Sequence, residues 1–375
     1  MQIDFHHAVT YVVARLAGIN HGEAETLAYC AQYVDDATNE GEIRFDNDAL
    51  YRRLASAHKM LDYRNFNALA NHLVWIPFHF LPGNGRLSAG NNPQGTFIEK
   101  LICRPNSYVA QDMVRACILD RNKPYGLHRL GITAHVFVDT WAHQGFAGVN
   151  NAVNEVHGLR WGAGEGQHDE IFEQRWRDFV SRANEGVFAR IKNRIGDFFR
   201  EAVPPLGHGP ALSYPDRPYA VWSYTNGLGQ RVQRNNPDDF TEAADELCKV
   251  FRRYQLGDPD AAVNGLAPND RDKIRQMLTD TTIPEGDERH KVWLGAIAGD
   301  DFGFGARQLE YIPKGVGSWK HQAVRTEKET DEEDDVFTYD PAFLTSNWRM
   351  FHDAAKAHRL SIIDDILPRY GICAA

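Results

Sequence analysis

Apolar positions along the chain recur mainly at helical spacing. Residues 4 to 17, DFHHAVTYVVARLA, put Ala8, Tyr11, Val12 and Leu16 on one face, with Asp4 as cap and Gly18 as stop. Residues 22 to 37 repeat the pattern with Leu27, Cys30, Ala31 and Val34 and end in Asp35-Asp36. Helices are also predicted over 48–62 and 65–80, the second kinked or restarted at Pro77. Residues 83–97, GNGRLSAGNNPQGTF, have no apolar period and read as a surface loop. A helix over 105–121 carries Val109, Met113, Ala116 and Leu119. Residues 149–169 read as loop around His157 and His168, and 170–201 as a long helix or a helical pair. After an irregular stretch at 204–222, helices are predicted over 238–254, 268–279, 288–298 and 341–367. Strand signals reduce to LEYIP and VFTY, and TEKETDEEDDVFTYD reads as a solvated acidic loop.

The most apolar of these segments changes the picture. Tyr125 to Gly148, YGLHRLGITAHVFVDTWAHQGFAG, carries His128, His135, Asp139 and His143 among Ile132, Val136, Phe137, Val138 and Trp141. At about 100° per residue the four polar side chains fall at about 0°, −20°, +20° and +60°, one stripe of a buried helix. Burying imidazoles around a carboxylate is costly without compensation, and metal ions supply it. His135 and Asp139, one turn apart, can share an ion. His135 and His143 are separated by about 12 Å of helix, so Asp139 is expected to bridge two ions with one His toward each. A core helix with three unrelated, hydrogen-bonded histidines is the alternative. The fold class expected is mainly α: a multi-helix bundle around a buried metal cluster (residues 1–225), with an additional helical C-terminal block (226–375) packed on it.

Further donors are scattered along the chain. His6 and His7 sit in the first turn of the first helix, where a charged imidazole is disfavoured and a neutral, metal-binding one fits. Asp35 and Asp36 oppose the dipole at the end of the second helix, a local conflict typical of functional sites. His208, flanked by glycines, and Asp216, between prolines, lie in irregular backbone that reads as a site wall or a plain turn.

Composition narrows the function classes. A 375-residue chain with 43% hydrophobic and 25% charged residues is an ordinary globular protein with sixteen histidines. A net charge of −10 argues against a broad nucleic-acid footprint. Five cysteines, an odd number with no CxxC spacing, argue against a disulfide framework and against a cysteine-based zinc site. No run of about 18 apolar residues predicts a transmembrane helix. The N-terminal segment lacks the features of a secretory signal, so the expectation is a cytoplasmic chain or one exported by a non-classical route.

His135, Asp139 and His143, in that order on one helix, resemble the signature of the zinc-dependent phospholipase C and single-strand-specific nuclease superfamily, as a divergent bacterial branch. The resemblance covers roughly residues 1–220. It implies an α-helical bundle holding two or three Zn2+ ions. It also implies an N-terminal ligand with an early His, matched by His6 with Asp4 or His7. An Asp ending an early helix is matched by Asp36 or Asp35, and a His before the central helix by His79 or His72. A late His and carboxylate are matched by His208 and Asp216. The chain begins Met-Gln-Ile-Asp where that family has a Trp whose amine and carbonyl bind zinc. The activity implied is phosphodiester hydrolysis by metal-activated water, with Asp36, or its neighbour Asp35, as general base. The substrate implied is a phosphatidylcholine-like phospholipid, met by transient membrane-surface contact. Trp75, Phe78, Phe80, Trp141 and Phe146 are candidates to meet acyl chains or a choline group. The alternatives are a single-strand nuclease, an HD-type nucleotide phosphohydrolase using His168-Asp169 or His352-Asp353, and a non-enzymatic helical interaction protein with structural metals.

Overall fold

A computed structural model describes residues 1–58, 68–162, 167–168, 206–332 and 335–373. The helix expected over 170–201 lies outside these residues. A π-helical turn, Asp4–Val9, runs directly into α1, Thr10–Leu16. Then come α2 (His21–Asp36), α3 (Ala68–Phe78), α4 (Ile98–Leu101), α5 (Tyr108–Leu119) and α6 (Gly126–Ala142). The later helices are α7 (Asn236–Leu256), α8 (Pro268–Asp280), α9 (Gly286–Ala298), α10 (Trp319–Val324) and α11 (Asn347–Leu360).

The central helix α6 is buried at every residue from His128 to Ala142. It is covered by α2, α5, α7 and α11. Gly131 lets α2 approach: a Cβ there would lie 2.3 Å from Cys30 Cβ and 2.8 Å from the Leu27 carbonyl oxygen. The chain is not divided near residue 226 by separate cores. One core joins Phe5, Val12 and Trp141 to Phe240, Ile274 and Trp293. A second joins Tyr33 and Ile132 to Trp319, Trp348 and Phe351.

The mainly α expectation is corrected by two sheets. Strands β1 (Gly41–Phe45), β2 (Leu50–Arg53) and β7 (Val336–Phe337) form one, in the order β2-β1-β7. Strands β3 (Val156–Trp161), β4 (Gln167–His168), β5 (Val221–Asn226) and β6 (Arg231–Asn235) form the other, in the order β4-β3-β5-β6. The helix expected over 48–62 begins instead as the second strand of a hairpin. The turn chemistry decides it: Ala49 N–H donates to Asn47 Oδ1 at 3.0 Å and Asp48 takes φ 65°. A charged strand such as LYRR carries little apolar alternation, which is why period alone missed it. The loop expected around His157 is β3.

Of the two strand signals, LEYIP forms none and VFTY contributes only Val336–Phe337, which pairs in parallel with β1 (Arg44↔Val336). The acidic run around it is not simply solvated. Asp331 is 4% exposed and ion-paired to both Arg53 and Lys320. The β5–β6 hairpin matters most for the site, because its sheet packs Leu159, Trp222 and Tyr224 against Phe80 and Phe146. That packing holds the 206–216 segment beside the C-terminal end of α6.

Candidate metal centre

The histidines of the site are oriented by backbone carbonyls. His135 Nδ1 lies 2.7 Å from the Ala31 carbonyl oxygen, His143 Nδ1 2.7 Å from that of His79, and His208 Nδ1 2.9 Å from that of Leu212. His79 uses its other nitrogen: Nε2 lies 2.9 Å from the Ser56 carbonyl oxygen. A carbonyl only accepts, so each of these nitrogens carries the proton and the opposite one presents a lone pair. This is the support usual for metal-binding imidazoles, whose second nitrogen is tied to a carbonyl or carboxylate.

The lone pairs converge. His79 Nδ1 and His135 Nε2 are 3.2 Å apart, yet neither has a proton to give the other. His135 Nε2 is 3.2 Å and His79 Nδ1 3.6 Å from Asp139 Oδ2, and both are 3.8 Å from Asp35 Oδ1. A tetrahedron with metal–donor bonds of about 2.0–2.1 Å has edges of about 3.3–3.4 Å. These five separations scatter around that length. His79, His135 and Asp139 are therefore shaped like three corners of the shell of one ion, with Asp35 slightly farther off.

Two more sets adjoin it. His143 Nε2 and His208 Nε2 lie 3.4 and 3.3 Å from Asp216 Oδ1 and Oδ2. On the other side of Asp139, Oδ1 faces His6 Nε2 at 3.2 Å and the amino nitrogen of Met1 at 2.6 Å. That amine also lies 3.2 Å from Asp216 Oδ1. Asp139 stands between two of these sets, though not as the helix stripe alone suggested. Its two oxygens face the His79–His135 set and the Met1–His6 set, while the free nitrogen of His143 turns to Asp216. Buried polar atoms here go without hydrogen bonds: Asp139 Oδ2 and both ring nitrogens of His6. Such atoms are costly unless something outside the protein's own hydrogen bonding satisfies them. These buried His/Asp clusters can hold metal ions.

Local structure explains the placement. The π-helical turn buries both His6 and His7 completely, and single π turns often mark functional sites. Asp35 is the last residue but one of α2, with a third of its side chain exposed. Gly207, at φ 53°, lets the chain pass over Phe80, whose ring a Cβ there would meet at 2.3 Å. Phe80 in turn stacks on His143, with centroids 4.5 Å apart. Trp75 lies 5.1 Å from His79 and Phe146 6.2 Å from His208, whereas Phe78 packs on His358 and Trp141 on Phe137 in the core.

The charges follow from this crowding. Burial alone would raise the Asp139 carboxyl, but His143, the Met1 ammonium, His135 and His6 hold it well below the usual range. Asp216 is likewise lowered against burial by His208 and the Met1 ammonium. Asp35 goes the other way: burial of its remaining surface and the Asp139 charge push it well up. Burial lowers His6, His135 (to about 4) and His208. Burial also opposes charge on the Met1 amine, yet Asp139, Asp216 and Asp35 together raise it to about 11.

Of the residues singled out in the sequence, His6, Asp35, His79, His135, Asp139, His143, His208 and Asp216 meet here. Asp4 does not, nor does it cap the first helix. Arg289 claims its carboxylate at 2.5 Å, because that buried guanidinium needs a counter-charge. Asp36 also turns away, accepting from Tyr311 OH at 2.6 Å and Gln32 Nε2 at 3.1 Å. One residue further along a helix points about 100° elsewhere, so only the first of the Asp35-Asp36 pair faces the cluster. His7 pairs with His290 at 2.9 Å, and His72 is half-buried on α3 outside the three sets. His128, of the same helix stripe, bonds instead to Asn347 Oδ1 at 3.0 Å. His157 is exposed beside Glu155. His352 accepts from Leu54 N–H and Asp353 from Tyr51 OH, so that dipeptide is used structurally. Asp169 lies outside the described residues. The Met1 amino group beside Asp139 is the charged partner that side-chain reasoning did not single out.

The model of a family described as a family of unknown function, DUF6765, matches residues 1–366. The chain belongs to DUF6765. No curated protein and no solved structure matches it. Nothing in that membership names a reaction, so the chemistry of this DUF6765 chain rests on its geometry.

Proposed function

We propose that this chain is a zinc-dependent phosphodiester hydrolase. The observation that carries the reading is the single buried cluster of five histidines and three aspartates, organised as three adjoining donor sets around Asp139. Imidazole and carboxylate donors at tetrahedral spacing suit zinc. His79, His135 and Asp139 would hold one ion, leaving a position for water, and His143, His208 and Asp216 a second. His6 and Asp139 would contribute to a third. The chain order of these donors also supports the resemblance to the zinc phospholipase C and single-strand nuclease superfamily.

Zinc bound here would acidify water near neutral pH and neutralise charge on phosphoryl oxygens. The protein's own part is positional. The carbonyls of Ala31, His79, Leu212 and Ser56 fix the imidazole planes. Phe80 and Phe146 exclude water behind His143 and His208. Asp35, a third exposed, takes the general-base role proposed for the Asp35-Asp36 pair, a cation beside it offsetting the burial and the Asp139 charge that raise its carboxyl, and accepts the proton of the attacking water. The substrate proposed is a phospholipid of the phosphatidylcholine kind. No helix among the described residues is long and apolar enough to cross a membrane, so the lipid would be met by transient surface contact.

A second reading has its own support. Trp161, 39% exposed, stands 5.8 Å from Tyr214 and 6.0 Å from Tyr219, on either side of Asp216 in sequence. Such an aromatic edge suits base stacking by a single-strand nuclease. Purified protein is to be assayed for zinc content and for turnover of phosphatidylcholine, single-stranded DNA and nucleotides. Zinc with phosphatidylcholine turnover, abolished in Asp35→Ala, is expected. DNA turnover alone selects the nuclease, and a metal-loaded protein inert on all three overturns the hydrolase reading.

A further inference from the structure

Beyond the donors themselves, one chain of hydrogen bonds ties the metal centre to the far part of the sequence. Tyr311 OH donates to Asp36 Oδ2 at 2.6 Å. Gln32 Nε2 donates to the same oxygen at 3.1 Å and to Asp35 Oδ2 at 3.5 Å. Asp35 Oδ1, on the other side of that carboxylate, is the atom 3.8 Å from both His79 and His135. Resting on the metal-hydrolase reading above, we propose that Tyr311, Asp36 and Gln32 form a positioning relay that holds Asp35 against the metal shell.

The chemistry of each member fits. Asp35 is the most exposed of the three cluster carboxylates, at 33% against 1% for Asp139 and 11% for Asp216. It is therefore the one that packing alone holds least. An amide with two N–H groups can bridge two adjacent carboxylates, which would otherwise repel one another at the end of α2. Asp36 then needs a donor of its own, and Tyr311 supplies it. The Tyr311 ring is seated 4.7 Å from Tyr29 and 5.3 Å from His7, which follows the ligand His6. Burial and the Asp36 charge raise its hydroxyl well above the ordinary value, so it remains a donor. Residue 311 lies 172 positions from Asp139, beyond the part of the chain that carries every donor of the cluster. The relay thus gives the later part of the chain a role in the site.

The test is zinc affinity, measured by competition with a chromophoric chelator. Tyr311→Phe removes one hydroxyl from a half-buried ring and leaves its packing. Outer partners of metal ligands are typically worth 10- to 100-fold in affinity. A loss of that size for the most weakly held ion is expected in Tyr311→Phe and in Asp36→Asn. The double variant should lose no more than the larger single loss, since both act through Asp35. Urea unfolding of the metal-free proteins should be unchanged by Tyr311→Phe. Wild-type affinity in Tyr311→Phe overturns the relay, as does a fall in metal-free stability that accounts for the whole loss. Zinc binding by the wild type without phosphodiester turnover would instead overturn the function proposed above and leave the relay standing.

Discussion

His79 Nδ1 and His135 Nε2 face each other at 3.2 Å while both ring protons point away, to the carbonyls of Ser56 and Ala31. Two lone pairs at that distance repel, and Asp139 Oδ2 and Asp35 Oδ1 add negative charge beside them. A cation reverses the sign of every one of these contacts. The protein is therefore expected to purify with zinc, and to lose stability when stripped of it. At a free-metal excess of 100- to 1,000-fold over Kd, binding contributes about 3–4 kcal/mol. A strong chelator should lower the urea midpoint accordingly, and His79→Ala should lower the zinc content measured by elemental analysis. An unchanged midpoint in chelator would refute the metal centre.

The Met1 amine is fully buried between Asp139 and Asp216. A Gly-Ser extension ahead of Met1 turns it into an amide that cannot be charged and has no room for the added residues. Two buried carboxylates then lose their partner, a change that typically costs about 3–5 kcal/mol. A lower urea midpoint is expected. A C-terminal extension of the same length should leave it unchanged. Equal midpoints in both tagged forms would show that the amine is dispensable.

The sequence made the central helix legible because burial and chemistry shared one period: His135 and Asp139 lie one turn apart among Ile132, Val136 and Val138. His208 and Asp216 were marked by glycines and prolines around ligand-type side chains. The choice between Asp35 and Asp36 was not legible, since it depends on how α2 is rotated against α6. Nor was Asp4's true partner, because Arg289 is 285 residues away. The sheets escaped for a related reason. β1 and β2 are short and charged, and their pairing rests on a turn at Asp46 to Asp48 rather than on apolar alternation.

Acid should destabilise the fold through histidines outside the metal centre. Burial lowers His352 and His358 to about 3 and His128 to about 4. Their unfolded value is near 6.5. Above that pH both states are neutral at these rings and stability is fully present. As pH falls below about 6.5 the unfolded chain takes up protons that the folded one refuses, so stability drops toward pH 4. Each ring contributes a loss on the order of 1 kcal/mol by pH 5.5. Urea midpoints at pH 7.5 and 5.5, with saturating zinc, should show this. His352→Gln keeps an acceptor for the Leu54 N–H and should shrink the difference by about one ring's share. A variant with the same acid sensitivity as wild type would show that His352 is protonated in the fold.

Gly131→Ala tests how closely α2 must approach α6. In an exposed helix this change adds about 1 kcal/mol of stability through backbone propensity. Here the new methyl would meet Cys30 Cβ at 2.3 Å and the Leu27 carbonyl oxygen at 2.8 Å. Neither atom is the end of a flexible side chain, so relief requires α2 to move. Overpacking of this kind typically costs about 1–3 kcal/mol, and the steric term should win. Because α2 carries Asp35 and α6 carries His135 and Asp139, the same displacement should widen the metal shell. The variant should unfold at lower urea and bind zinc more weakly than wild type. A gain of about 1 kcal/mol with unchanged zinc affinity would mean that the helices are not held apart by this residue and that Asp35 is positioned independently of it.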